Sequence, residues 1–114
     1  SVGRGLQKDC KQTVKYSVLV RPEAEEDLKE AFSWYEDNMT GLGYDFLLQV
    51  DAGINFIKRN PEINPVEYKG MRKHLIKRFP YKIIYLVEEE KVIVLAVLHG
   101  KRSPGLLKKR IGSI

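Results

Sequence analysis

One cysteine, Cys10, is all the thiol this chain has, so no internal disulfide can form. It lies in a polar, basic stretch where nothing resembles a pocket that would activate a nucleophile. A chain without crosslinks fits a reducing, cytoplasmic setting. Long apolar runs are missing too. The longest, Val92 to Leu98, has strand length and falls far short of the roughly 18 residues of a membrane span. Residues 1–15 lack the apolar core of a secretory signal, so no membrane role is expected. The two histidines, His74 and His99, have no cysteine or carboxylate at ligand spacing, which argues against a metal. There is no phosphate-cradling glycine loop. Gly41-Leu42-Gly43 is too short for a dinucleotide fingerprint and follows a helix. No serine has a nucleophile-elbow context. No cofactor is expected.

Acid is absent from one stretch in particular. Between Lys69 and Lys82 there are six cations (Lys69, Arg72, Lys73, Lys77, Arg78, Lys82) and His74, with no Asp or Glu. The imbalance extends over the chain: residues 1–60 carry 8 Lys/Arg against 10 Asp/Glu (−2), and residues 61–114 carry 12 against 5 (+7). Such a basic half attracts a polyanion or an acidic protein, or is simply a solvated face.

What is present reads as one domain. Its 114 residues, 43% of them hydrophobic, suffice for a single core. Residues 1–14 read as a mobile tail before a domain spanning 15–114. Residues 15–20 (KYSVLV) suit a strand. Pro22 then opens a helix, with Glu23, Glu25, Glu26 and Asp27 at its positive end. Ala24, Leu28, Ala31, Phe32 and Tyr35 form one helical face ending near Asn38. Gly41 and Gly43 mark a tight connector to a second helix, striped by Phe46, Leu47, Val50, Ile54 and Ile57 and ended by Asn60-Pro61. The two should form an antiparallel hairpin.

Residues 61–70 read as a loop. MRKHLIKRF (71–79), YKIIYLV (81–87) and VIVLAVL (92–98) read as strands, the last of them central. Residues 105–111 suit a helical turn or a short edge strand. The order β-α-α-β-β-β implies an α+β fold: a helical hairpin packed on one face of a twisted antiparallel sheet. The basic strand and the exit HGKRSP (99–104) are then expected to share the opposite, partly open face as one concave surface.

Metal-free RNA cleavage needs an acid, a base and cations for the developing phosphate charge. His99, His74, Arg72, Lys73, Arg78 and Arg102 are the right types. Tyr68, Phe79, Tyr81 and Tyr85, interleaved with the cations, suit base stacking or the core. An acidic amphipathic helix or an added strand from a protein partner would suit the basic face equally.

Three stretches together carry a family resemblance: VRPEAEEDLKEAFSWYED with GLGYDFL, then RFPYKIIYLV, then VLAVLHGKRSP. Over roughly residues 15–110 the chain resembles the RelE/ParE superfamily of bacterial type II toxins, nearest to its ParE-like, plasmid-stabilization branch. The resemblance implies the same fold and a cognate antitoxin that wraps and neutralises the toxin. RelE-like members cut mRNA in the ribosomal A site, whereas ParE-like members poison DNA gyrase. Arg102 matches the arginine that ends the last strand in the ribonucleases, and Arg72, Lys73 and Arg78 fall on the basic strand. The Tyr or His expected shortly after that arginine is replaced by Ser103, Pro104, Gly105, Leu106 and Leu107.

The resemblance therefore implies a gyrase poison without chemistry of its own. Its contact surface for target or antitoxin would comprise Arg72, Lys73, His74, Lys77, Arg78, His99, Lys101 and Arg102. The alternative is a ribosome-dependent mRNA endonuclease, with Arg72, Arg78 and Arg102 on phosphate and His99 as acid or base. A third reading is an inactive homologue that only binds its antitoxin.

Overall fold

The computed structural model describes residues 16–100. In chain order the elements are β1 (Ser17–Val20), α1 (Pro22–Asn38), α2 (Leu42–Arg59), β2 (Val66–Tyr68), β3 (Met71–Leu75), β4 (Tyr81–Glu88) and β5 (Lys91–His99). The strands form one sheet in the order β1-β5-β4-β3-β2. The two helices cover one of its faces, so the α+β architecture is as expected from sequence.

Pro22 begins α1, with Glu23 and Glu25 in the first turn. There the absent N–H costs nothing and the acids face the positive end of the helix dipole. The hairpin turn is held by a device that crosses it. Gly41 precedes α2 with φ 91° and has no side chain to cap the helix. The Glu36 carboxylate does so instead, accepting from the N–H of Gly41 at 2.8 Å and of Gly43 at 2.9 Å. At Gly43 the helices approach closely: a Cβ there would lie 2.7 Å from the Phe32 carbonyl oxygen.

The sheet is mixed, which corrects the wholly antiparallel expectation. β4 pairs antiparallel with β3 and β5, but β1 pairs parallel with β5, Ser17 opposite Lys91 and Val20 opposite Val94. The reason lies in the connection. Tight hairpins join β3, β4 and β5, whereas β1 is separated from its neighbour by the helices and the rest of the sheet and is free to run alongside.

Three smaller expectations change. Residues 66–68, read as loop, form the edge strand β2 on the start of β3. The strand predicted over 71–79 ends at Leu75. The chain then turns, with Arg78 at φ 73°, and returns Ile76 and Phe79 to the core. β5 is interior, but β4 is the middle strand.

A β-bulge near Leu95 shapes both cores. Ile84 is opposite Ala96 and Tyr85 is opposite Val94, so β5 has one residue more than β4. On the helical face, Val92, Val94 and Val97 join a ring cluster of Tyr35, Phe46, Phe79 and Tyr81, with centroids 4.9–6.1 Å apart. On the far face, Leu95, Ala96 and Leu98 pack with Met71 and Ile84. The unbroken apolar run of β5 reflects burial on both sides.

Candidate functional site

β3 distributes its basic residues between the two faces of the sheet, because neighbouring strand residues point oppositely. Arg72 pairs with Tyr85 and His74 with Ile83, both core residues of the helical side. Lys73 pairs with Ile84 and Leu75 with Lys82 on the far side. Among the described residues, therefore, the basic side chains of β3 do not share one face. The far face is centred on an apolar cluster, with Lys73 and Lys82 beside it and Leu75 63% exposed.

Arg72 and His74 are built into a polar network that ties residues 61–64 to the sheet. The Arg72 guanidinium donates to the carbonyls of Asn64 and Glu62. The Asn64 amide donates to the Tyr85 hydroxyl at 3.1 Å and faces His74 Nδ1 at 3.4 Å. The Tyr85 hydroxyl, fully buried, donates to the Pro61 carbonyl at 3.1 Å. The network joins groups 8 to 24 residues apart in sequence, which sequence proximity does not suggest.

His74 also stacks on Phe56 of α2, with centroids 5.1 Å apart and planes inclined by 24°. Burial, helped by the charge of Lys77, lowers its pKa from the usual 6.5. The ring thus favours the neutral form. Beside it opens a hollow of about 320 Å³ between α2 and the end of β3, floored by Gly53, Phe56 and Ile76 and flanked by Arg59 and Lys77.

His99 lies on the helical side as well, but at the other flank of the hairpin. It pairs with Tyr81 and meets its ring edge-on at 5.4 Å. A hollow of about 230 Å³ there is lined by Asp27, Glu30 and Trp34 of α1 together with Tyr81 and His99. Asp27 is anchored in it, accepting the Val97 N–H at 3.0 Å. The two histidines thus open into separate hollows, one beside α1 and one beside α2.

The remaining candidates divide. Lys73 forms a 3.4 Å ion pair with Glu67, both side chains about half exposed, which contributes little. Arg78 sits in the exposed turn with its guanidinium 5.8 Å from the Phe79 ring centroid. Lys77 is exposed at the mouth of the hollow beside His74. Lys101 and Arg102 lie outside the described residues. Among the described residues no cluster of three or more His, Cys, Asp or Glu is placed to hold a metal, and no helix is long and apolar enough to cross a membrane.

Sequence reasoning missed Asn64, Phe56 and Arg59, which complete the His74 surroundings. Asn64 sat in a segment read only as loop, and Arg59 looked like a helix terminus. It also read Asp27 as an acid explained by the helix dipole and by solvation.

Residues 18–104 match the family model described as ParE toxin of type II toxin-antitoxin system, parDE. The chain is 32% identical over 88 residues to Toxin ParE2 of Mycobacterium tuberculosis in two strains, covering 76% of this chain and 84% of that protein. Similar solved structures include the chromosomal ParDE TA system from P. aeruginosa, with TM-score 0.67, 13% identity and 75% of this chain against 96% of that one. A mutant E. coli toxin RelE in the free state gives TM-score 0.62 at 15% identity, with coverage of 88% and 98%. The toxin-antitoxin complex RelBE2 from M. tuberculosis gives 0.52 at 20% identity, with coverage of 75% and 92%. At these identities the structural likenesses show the fold.

Proposed function

The chain belongs to the ParE toxin family of type II toxin–antitoxin systems, and from that premise we propose that it arrests growth in the cytoplasm by binding and poisoning DNA gyrase. A cognate antitoxin holds it inactive. It acts as a binder, trapping an enzyme intermediate, and performs no bond chemistry itself.

The observation that carries this reading is how the candidate acid–base groups are used. His74 is committed to Phe56 and Asn64, Arg72 to two loop carbonyls, and His99 packs on Tyr81 at the other flank of the helical hairpin. Cleavage would need a base, an acid and a phosphate-binding cation converging within about 3 Å of the reacting atoms. These groups instead support the fold, which suits a protein whose surface does the work. The exposed Arg78 and the half-exposed Lys73, held only by a weak ion pair with Glu67, are the natural contacts with the target.

The test is plasmid supercoiling by purified gyrase and ATP, with the antitoxin-free chain added. Loss of supercoiling with accumulation of linearised plasmid supports poisoning. Unaffected supercoiling, at concentrations where expression stops growth, sinks it. The ribosome then becomes the target to examine, with His99 the first residue to replace.

A further inference from the structure

α1 turns one ridge toward the end of β5. Asp27, Glu30 and Trp34 follow one another at steps of three and four residues, so they line up along one side of the helix. Across the hollow stand Tyr81 and His99, a cross-strand pair whose rings meet edge-on at 5.4 Å. Three rings and two carboxylates thus surround one space of about 230 Å³. Among the described residues no lysine or arginine lines it.

These side chains differ in what they do for the fold. Asp27 is engaged, accepting the Val97 N–H. Trp34 is 61% exposed and touches the Tyr35 ring edge-on at 5.1 Å. Glu30 is exposed as well and has no ion-pair or hydrogen-bond partner among the described residues. A tryptophan left in water forgoes the burial of a large apolar surface, and tryptophan is enriched among the anchors of protein interfaces.

The surround selects the occupant. An aromatic face is the negative side of a ring quadrupole and attracts a cation, tryptophan most strongly. Glu30 places a carboxylate one helical turn from Trp34. The rest of α1 has the same sign, with seven acids against one lysine. A phosphate would be repelled there. Among cations, a guanidinium is planar, stacks on a ring and donates to a carboxylate in a fork, whereas an ammonium is a hydrated point charge.

We propose that this hollow is a cage for an arginine side chain presented by a basic segment of a protein partner. The guanidinium lies over Trp34 and donates to Glu30, and Tyr81 and His99 close the other side. The inference goes beyond the gyrase reading and does not depend on it. The cage is opposite in charge to the Arg78 turn, so a partner seated here meets the protein through different chemistry.

Trp34 is the only tryptophan of the chain, so its fluorescence reports on the hollow directly. The probe is a nine-residue peptide alternating arginine and glycine, titrated into the full chain. Two control peptides carry lysine, with the same charge, or citrulline, with the same shape and no charge. The expected result is a saturable change in Trp34 emission, with NMR shifts at the Trp34 indole N–H and at the Tyr81 and His99 rings. The lysine peptide should bind about threefold more weakly or worse, and the citrulline peptide more weakly still. Glu30→Gln should weaken the arginine peptide about threefold. Trp34→Leu should abolish the Tyr81 and His99 shifts. Both variants should melt as the wild type does, because both side chains are exposed.

Three results would overturn the proposal. Equal binding of the lysine peptide would reduce the hollow to part of an acidic surface. Undiminished shifts in Trp34→Leu would place the contact elsewhere. Trp34 emission that changes on dilution of the chain alone would assign the hollow to a second copy.

Discussion

The carboxylate of Asp27 in α1 accepts the backbone N–H of Val97 in β5 at 3.0 Å, across 70 residues of sequence. β1 accompanies β5 only as far as Val94, so Val97 lies beyond the last strand pair on that edge. Asp27 supplies an acceptor there and fixes the first half of α1 to the sheet. Asp27→Ala should cost about 1–2 kcal/mol in urea unfolding, and Asp27→Asn, which keeps an acceptor, less. Equal stability of all three chains would show that water replaces the contact.

Two neighbouring glycines should respond differently to alanine. At Gly43 the added Cβ meets the Phe32 carbonyl at 2.7 Å, and backbone cannot yield. Gly43→Ala should lose about 1–3 kcal/mol through forced separation of the helices. At Gly41 there is open space, and only the φ of 91° opposes a side chain. Gly41→Ala should cost about 1 kcal/mol. Thermal melts of the two variants give the order, and a reversal would contradict the close approach.

The His74 environment predicts a pH dependence. Burial first, then Lys77, lowers the folded-state pKa below the usual 6.5. As pH falls through 6.5, the unfolded chain takes up a proton that the folded chain resists. Stability is therefore full above that value and declines as pH drops toward the folded pKa. His74→Gln should show a flatter stability profile between about pH 7 and pH 5 than the wild type. Parallel profiles would mean the ring is more open to water than the structure shows.

Tyr85 is fully buried, and its hydroxyl joins Asn64 to Pro61. Tyr85→Phe leaves the Asn64 amide and the Pro61 carbonyl short of a partner, for about 1–2 kcal/mol. Faster hydrogen exchange confined to residues 61–65 would accompany it. Faster exchange spread evenly over the sheet would point to a general packing defect instead.

Cations with structural and surface roles should separate experimentally. Arg72→Ala should lower the melting temperature by releasing two loop carbonyls. Lys73→Ala with Arg78→Ala should leave melting nearly unchanged and weaken gyrase inhibition. A double variant that inhibits as the wild type does would move the contact surface elsewhere.

Both helices were legible because their signals are local. A 3.6-residue apolar stripe, Pro22 at the start of α1 and Asn60-Pro61 after α2 state the helices without reference to the rest of the chain. The hairpins from β3 to β5 were legible for the same reason, and the family resemblance rests on those same stretches. The site was less so. The sequence named Arg72, Lys73, His74 and His99 but assigned them to one open face.

By itself, then, the sequence determined the two helices, the strands β1, β3, β4 and β5 and their order, but not the short edge strand β2, since steric periodicity and turn chemistry act over a few residues. Tertiary structure alone decided that β1 runs parallel to β5, that a bulge at Leu95 buries β5 on both faces, and that Arg72 and His74 point toward the helices while Lys73 points away. Those outcomes depend on register, and a shift of one residue exchanges every side chain between the two faces of a sheet. No run of neighbouring residues encodes which register wins. It is set by the Asp27, Tyr85 and Asn64 contacts and by two cores that form only when distant segments meet.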